Sequence, residues 1–189
     1  MSVGVLGGTF DPIHLGHLRA AESVREGLGL ERVLLVPAGR PPHRPTPAAS
    51  AVDRYAMACL AAAGHPALTA SDAEILRDEP SYTVHTVERL KERYPQETLV
   101  LIVGSDTLGD VGGWHESERL LRLCTLAVVA RPGSSPAPDV PGGRVQHVGG
   151  ATLPISASDV RAHVRAGRSV RYLVPDAVAE YIHKKGLYS

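Results

Sequence analysis

The chain has 189 residues, 43% of them hydrophobic and 21% charged, a composition that excludes disordered and fibrous classes and suffices for a continuous core without staples. Its 20 Lys and Arg balance 20 Asp and Glu. Zero net charge argues against a protein that grips nucleic acid by bulk electrostatics, while leaving room for a local basic pocket around a small polyanion.

The chain opens with a short, continuous apolar run at Val3–Leu6, and similar runs recur at Val33–Val36, Leu99–Val103 and Leu126–Ala130. Runs of this kind, apolar without alternation, are expected of strands buried on both faces. Between the first two, Ile13, Leu18, Ala21, Val24 and Leu28 trace one face of an amphipathic helix that ends near Gly29. Val52–Ala63 and Val84–Tyr94 are predicted helices; in the second, Val87, Leu90 and Tyr94 share a face and Pro95 ends it. Near the C-terminus Pro175-Asp176 marks a helix start, Val178, Tyr181 and Ile182 its apolar stripe, and Gly186 its end. Two proline-rich stretches, Pro37–Pro47 and Arg131–Arg144, must be loops, because proline lacks a ladder donor and breaks helix interiors.

Strands alternating with helices predict an α/β fold: one doubly wound, Rossmann-like parallel sheet with helices on both faces, residues 1–189 forming a single domain. Ligands of such sheets bind beyond the carboxyl ends of the strands, at the switch point. With 4% aromatic residues, a single Phe and a single Trp, the core must rest on Val, Leu, Ile and Ala. Cys59 and Cys124 have no C-x-x-C or paired-His context, so they read as inert thiols of a reducing compartment. No apolar run approaches the roughly 18 residues of a bilayer span, and the N-terminus carries no basic leader. A cytoplasmic protein without membrane or nucleic-acid partners is expected.

The segment Gly7-Gly8-Thr9-Phe10-Asp11-Pro12-Ile13-His14-Leu15-Gly16-His17 joins the first strand to the first helix. Gly7 and Gly8 permit a sharp turn and close approach to a ligand. Asp11 and Pro12 suit the N-cap and first position of the helix. His14 and His17, three residues apart, project from one face of the first helical turn. Two imidazoles beside unpaired helix N–H groups and the positive dipole end make a phosphate site. The dinucleotide fingerprint G-x-G-x-x-G and the Walker G-K-[ST] are both absent. Further on, Ile155-Ser156-Ala157-Ser158-Asp159-Val160-Arg161 places a capping serine before a helix with Arg161 in its second turn, a second set of phosphate donors.

These segments resemble the nucleotidyltransferase superfamily, G-x-F-x-P-x-H-x-G-H and I-S-x-T-x-x-R, and the wording GGTFDP-x-H-x-GH is most similar to the bacterial nicotinate-nucleotide adenylyltransferase family. Ser158 stands where that family usually has Thr. Pro41-Pro42-His43-Arg44 resembles its P-P-H-[KR] loop, Ser81-Tyr82-Thr83 its S-Y-T, and Gly104-Ser105-Asp106 its G-x-D. The resemblance implies a fold of nucleotidyltransferase type and adenylyl transfer from ATP to nicotinate mononucleotide, giving deamido-NAD and pyrophosphate. It implies His14, His17 and Arg161 as catalytic residues. ATP would be bound by Gly8, Thr9, Phe10, His14, His17, His43, Arg44, Gly104, Asp106, Ser156, Ser158 and Arg161. The acceptor would meet Thr83, Asp106, Trp114 and His115: Trp114 stacking on the pyridine ring, the N–H groups of Thr83 and His115 holding its carboxylate, Asp106 on a ribose. Where relatives often have Tyr, this chain has His115. Mg²⁺ is expected to arrive with ATP, with no dedicated metal site.

A sibling adenylyltransferase for nicotinamide mononucleotide or pantetheine phosphate, and a non-catalytic nucleotide sensor on the same fold, are the alternative readings. The intact histidine pair with Arg161 weighs against the sensor, and Trp114 with Thr83 favours the nicotinate acceptor. Glu74 and Arg77 are expected to form a surface ion pair. His65, His147, His163 and His183 are expected to be surface or internally satisfied, and His85, one turn from Tyr82, stays outside the expected site. Oligomeric state is not legible.

Overall fold

A computed structural model describes residues 1–42, 45–130, 140–150 and 153–189. Six strands, β1 (Ser2–Gly8), β2 (Arg32–Pro37), β3 (Leu68–Ala70), β4 (Thr98–Gly104), β5 (Thr125–Val129) and β6 (Val145–Val148), form one all-parallel sheet in the order β3-β2-β1-β4-β5-β6. Seven α-helices connect or flank them among the described residues: α1 (Leu15–Leu28), α2 (Ala51–Ala62), α3 (Thr83–Arg93), α4 (Ser105–Leu108), α5 (Ser117–Leu123), α6 (Ala157–Arg165) and α7 (Asp176–Lys185).

The four apolar runs of the sequence are the four central strands. Their side chains alternate between two cores, which is why each run had to be apolar throughout. Leu6, Val33, Leu35, Val100, Ile102, Ala127 and Val129 face α1, α2, α6 and α7. Val3, Val5, Leu34, Val36, Leu99, Leu101, Val103, Leu126 and Val128 face α3, α4 and α5. Each fully buried Val, Leu or Ile contributes roughly 1.5–3 kcal/mol, so two aliphatic layers compensate for the scarcity of aromatics. Helix ends follow the sequence signals closely. Gly29 and Gly186 close α1 and α7 at φ 61° and 60°, a left-handed conformation that glycine adopts without steric cost. Edge strands β3 and β6, at 3 and 4 residues, carry too little pattern to be read in advance. Among the described residues no helix is long and apolar enough to cross a membrane.

The strand order reverses between β1 and β4, which lie side by side in parallel register. Their carboxyl ends, Gly8 and Gly104, open the crevice in which parallel α/β sheets bind ligands.

Candidate active site

The histidine motif fills the β1 side of this crevice. The helix begins later than expected: His14, not Asp11, is the N-cap of α1. Ile13 is fully buried and draws the turn into the core, and Asp11 serves another purpose. Its carboxylate accepts the backbone N–H groups of Ala48 and Ala49 at 2.8 and 3.0 Å and the Tyr188 hydroxyl at 2.9 Å. It therefore ties the motif to the start of α2 and to the chain's C-terminal tail. Burial and the Asp11 carboxylate together push the Tyr188 phenol far above its ordinary pKa, so it remains the donor in that bond.

His17 occupies the third position of α1, and its Nδ1 accepts the His14 backbone N–H at 3.2 Å. An accepting Nδ1 places the neutral ring's proton on Nε2, which makes Nε2 the ring's donor. The two imidazoles stack at 3.6 Å with 26° between planes, and the Phe10 ring packs edge-on against His17 at 4.9 Å. Phe10 is 2% exposed, so its ring backs the site, leaving only its backbone as a contact for ligand. Gly16 is required by close approach: a Cβ there would lie 2.9 Å from His14 Nδ1 and 3.3 Å from the Leu153 carbonyl. Gly8 and Thr9 are half-buried at the end of β1.

Arg161 arrives from α6. Its Nη1 donates to the Asp11 carbonyl at 2.6 Å, with the Asp11 carboxylate 3.9 Å away. One of its five donors is thereby used to hold the guanidinium beside the histidine motif. Ser156 caps α6, accepting the Asp159 N–H at 3.1 Å, and its hydroxyl lies 2.8 Å from that of Ser158. The helix-start hydroxyls and Arg161 thus stand on the same element, as its serine–arginine spacing predicts. His43 and Arg44 lie outside the described residues.

On the β4 side, Gly104 leads directly into the first turn of α4, where Asp106 is exposed. A Cβ on Gly104 would collide with the Asp106 carboxylate, so glycine is what lets that carboxylate fold back over the strand end. Thr83 is the first residue of α3, whose leading N–H groups have no intrahelical acceptor. The preceding Tyr82 stacks on the His115 ring at 4.1 Å and 26°, which joins the start of α3 to the segment before α5. Trp114 is half-buried, one part of the indole packed on the core beneath α3 and α5.

Sequence reasoning missed the residue that joins these parts. Arg54, 1% exposed on α2, donates to four carbonyls: Nη1 to Thr9 at 2.7 Å and Ala38 at 2.5 Å, Nη2 to Gly39 at 3.1 Å, and Nε to Ala49 at 3.2 Å. Burial lowers its pKa, with Asp11, Tyr188 and Glu74 acting in the opposite sense. Arg54 thus pins the end of β1 to the segment after β2. That segment is in turn paired to the approach to α3, with Arg40 N–H on Ser81 Oγ at 3.0 Å and Ser81 N–H on the Arg40 carbonyl at 2.9 Å. The signal was available: Arg54 shares the buried face of α2 with Met57, Ala58 and Ala61, a charge on an apolar stripe. Glu74 also departs from expectation. It is buried, accepting from Thr86 Oγ1 at 2.5 Å and the Gly39 N–H at 3.4 Å, because α3 packs over it, and it makes no surface pair with Arg77.

A stacked histidine pair and an arginine thus meet at the switch point of a parallel sheet, and the class they belong to is a nucleotidyltransferase. The cytidylyltransferase-like family profile matches residues 5–163. A probable nicotinate-nucleotide adenylyltransferase of Thermus thermophilus is 48% identical over the full length of both chains. One from Pseudomonas fluorescens is 42% identical over 98% of this chain and 96% of its own. The fold is shared with the Plasmodium falciparum nicotinic acid mononucleotide adenylyltransferase complexed with NaAD, at TM-score 0.81 and 18% identity, over 99% of this chain and 97% of that one. The chain belongs to the cytidylyltransferase-like family, in its nicotinate-nucleotide adenylyltransferase branch.

Proposed function

We propose that the chain transfers the adenylyl group of ATP to nicotinate mononucleotide, yielding deamido-NAD and pyrophosphate. The acceptor's 5′-phosphate oxygen attacks the α-phosphorus in line, forming one P–O bond as the bond to the β-phosphate bridging oxygen breaks, and pyrophosphate leaves. The nucleophile is already anionic, so no strong general base is needed, and catalysis rests on positioning and on neutralising charge that builds on the leaving group.

His14 and His17 face the α- and β-phosphates, and Arg161 with the Ser156–Ser158 helix start faces the β- and γ-phosphates. His43 and Arg44 close on the triphosphate from their loop. Gly8, Thr9 and the Phe10 backbone line the nucleotide, and Gly104 admits Asp106 to a ribose. Trp114 stacks on the pyridine ring while the N–H groups of Thr83 and His115 take its carboxylate. The motif's own carboxylate, Asp11, is already held by two backbone N–H groups and a phenol. Mg²⁺ would come with ATP and offset triphosphate charge there.

The observation that carries the reading is the His14–His17 stack with Arg161 anchored to the same turn through the Asp11 carbonyl. Purified protein with ATP, Mg²⁺ and each of nicotinate mononucleotide, nicotinamide mononucleotide and pantetheine phosphate tests it. Pyrophosphate release should be fastest with the nicotinate acceptor. Preference for another acceptor overturns the substrate assignment, and tight ATP binding with no release from any acceptor favours a sensor.

A further inference from the structure

Beside the acceptor side of the crevice, among the described residues, His85, His115 and Glu116 bring one ligand atom each to within 4.8 Å of one another. His85 lies on α3, and the other two lie in the segment entering α5. We propose that this triad is a binding site for a zinc-type divalent cation that joins the two walls of the acceptor pocket.

Adjacent side chains such as His115 and Glu116 ordinarily diverge. Here Glu116 takes a left-handed conformation, φ 50° and ψ 43°, and its Oε1 comes to 3.5 Å from His115 Nε2. Ligands about 2.0–2.1 Å from a tetrahedral zinc lie about 3.3 Å apart, so this pair already has the spacing of two ligands of one ion. The His85 ring stands nearly perpendicular to that of His115, centroids 5.5 Å apart and planes at 81°, with a ligand nitrogen within 4.8 Å of the other two ligand atoms. The other Glu116 oxygen, Oε2, is held at 2.7 Å by Arg119, which also pairs with Glu88. That clamp orients Oε1 toward the histidines and leaves Arg119 an anionic partner once Glu116 binds a cation. Two imidazoles, one carboxylate and a position for water suit Zn²⁺, whereas Mg²⁺ prefers oxygen ligands in octahedral geometry. The site is separate from the His14–His17 stack.

The consequence for activity rests on the acceptor assignment above. His85 follows Thr83 by two residues and His115 follows Trp114 by one, so an ion bridging them ties the walls of the pyridine pocket together. It impedes acceptor binding and leaves the triphosphate side alone. The test is calorimetric titration of the metal-free full chain with Zn²⁺, and with Co²⁺ followed by its visible absorption. One ion per chain should bind, weakened at least tenfold by His85→Ala and by His115→Ala and unchanged by His183→Ala on α7. Failure to bind one ion per chain, or binding that both His85→Ala and His115→Ala retain, overturns the site whatever reaction the chain catalyses. In turnover assays Zn²⁺ should raise KM for nicotinate mononucleotide at least fivefold, with KM for ATP unchanged and the effect absent in His85→Ala. An unchanged acceptor KM at saturating Zn²⁺ overturns the coupling.

Discussion

The Arg161 guanidinium donates to the Asp11 carbonyl at 2.6 Å across 150 positions of sequence. The contact joins the helix after β6 to the turn after β1, two segments that meet only because both lie at the carboxyl edge of the sheet. It makes the arginine part of the histidine motif's own architecture, not a mobile surface cation.

Arg161→Lys keeps the charge and loses the forked geometry that can hold Asp11 with one donor and phosphate with others. Its kcat/KM for ATP should fall roughly tenfold or more, and that of Arg161→Ala roughly 100-fold, the range of a lost preorganised donor. Steady-state kinetics with ATP varied checks both, and circular dichroism should show the fold unchanged.

Arg54 satisfies four carbonyls at the root of the site from a fully buried position. Arg54→Met strands them, at about 1–3 kcal/mol for an unsatisfied buried group. A loss of about 4 kcal/mol or more in urea unfolding is expected, along with a raised KM for ATP, since Thr9 and Ala38 lose their common anchor. Arg54→Lys should recover part of the stability and less of the KM.

Acid should loosen the junction between α2 and α7. The Asp53 carboxyl is held below its ordinary value of 3.8, first by the Ser50 hydroxyl and then by that of Tyr181, which donates at 2.9 Å. A depressed folded-state pKa stabilises the fold above the ordinary carboxylate range and stops doing so as pH falls through the depressed value. Asp53→Asn should therefore be less stable than wild type at neutral pH, with the gap narrowing in urea titrations as pH falls below the ordinary carboxyl value of 3.8. Tyr181→Phe should reproduce part of the neutral-pH loss, about 1 kcal/mol for one hydrogen bond.

The chain contains a single tryptophan, so its fluorescence reports on Trp114 alone. Nicotinate mononucleotide should quench it on stacking, while ATP alone should leave it nearly unchanged. Trp114→Ala should raise acceptor KM roughly tenfold, the worth of an aromatic contact of about 1.4 kcal/mol, and Trp114→Phe should restore most of it.

How much of this was legible depended on whether a residue's role shows in local pattern. The four central strands are apolar runs with no competing reading, and glycine marks the ends of α1 and α7. The serine cap of α6 stands three residues before the backbone N–H it accepts. Asp11 misled because Asp-Pro suits a helix start, whereas its carboxylate is claimed by Ala48, Ala49 and Tyr188, the last 177 positions away. Glu74 looked exposed because nothing in its neighbourhood announces that Thr86 covers it. Arg54 could have been found, since a charge on an apolar helical face must be paying its desolvation with specific partners. What those partners were depended on which loops the sheet order brought beneath it.

The central claim is that the His14–His17 stack stabilises charge developing on the triphosphate. Its most direct test is single-turnover release of pyrophosphate from ATP and nicotinate mononucleotide by His17→Ala, with folding verified by unfolding midpoint. The rate should fall by about 100-fold or more, the effect of removing a preorganised stabiliser of transition-state charge. A folded His17→Ala protein that releases pyrophosphate at close to the wild-type rate would contradict the account.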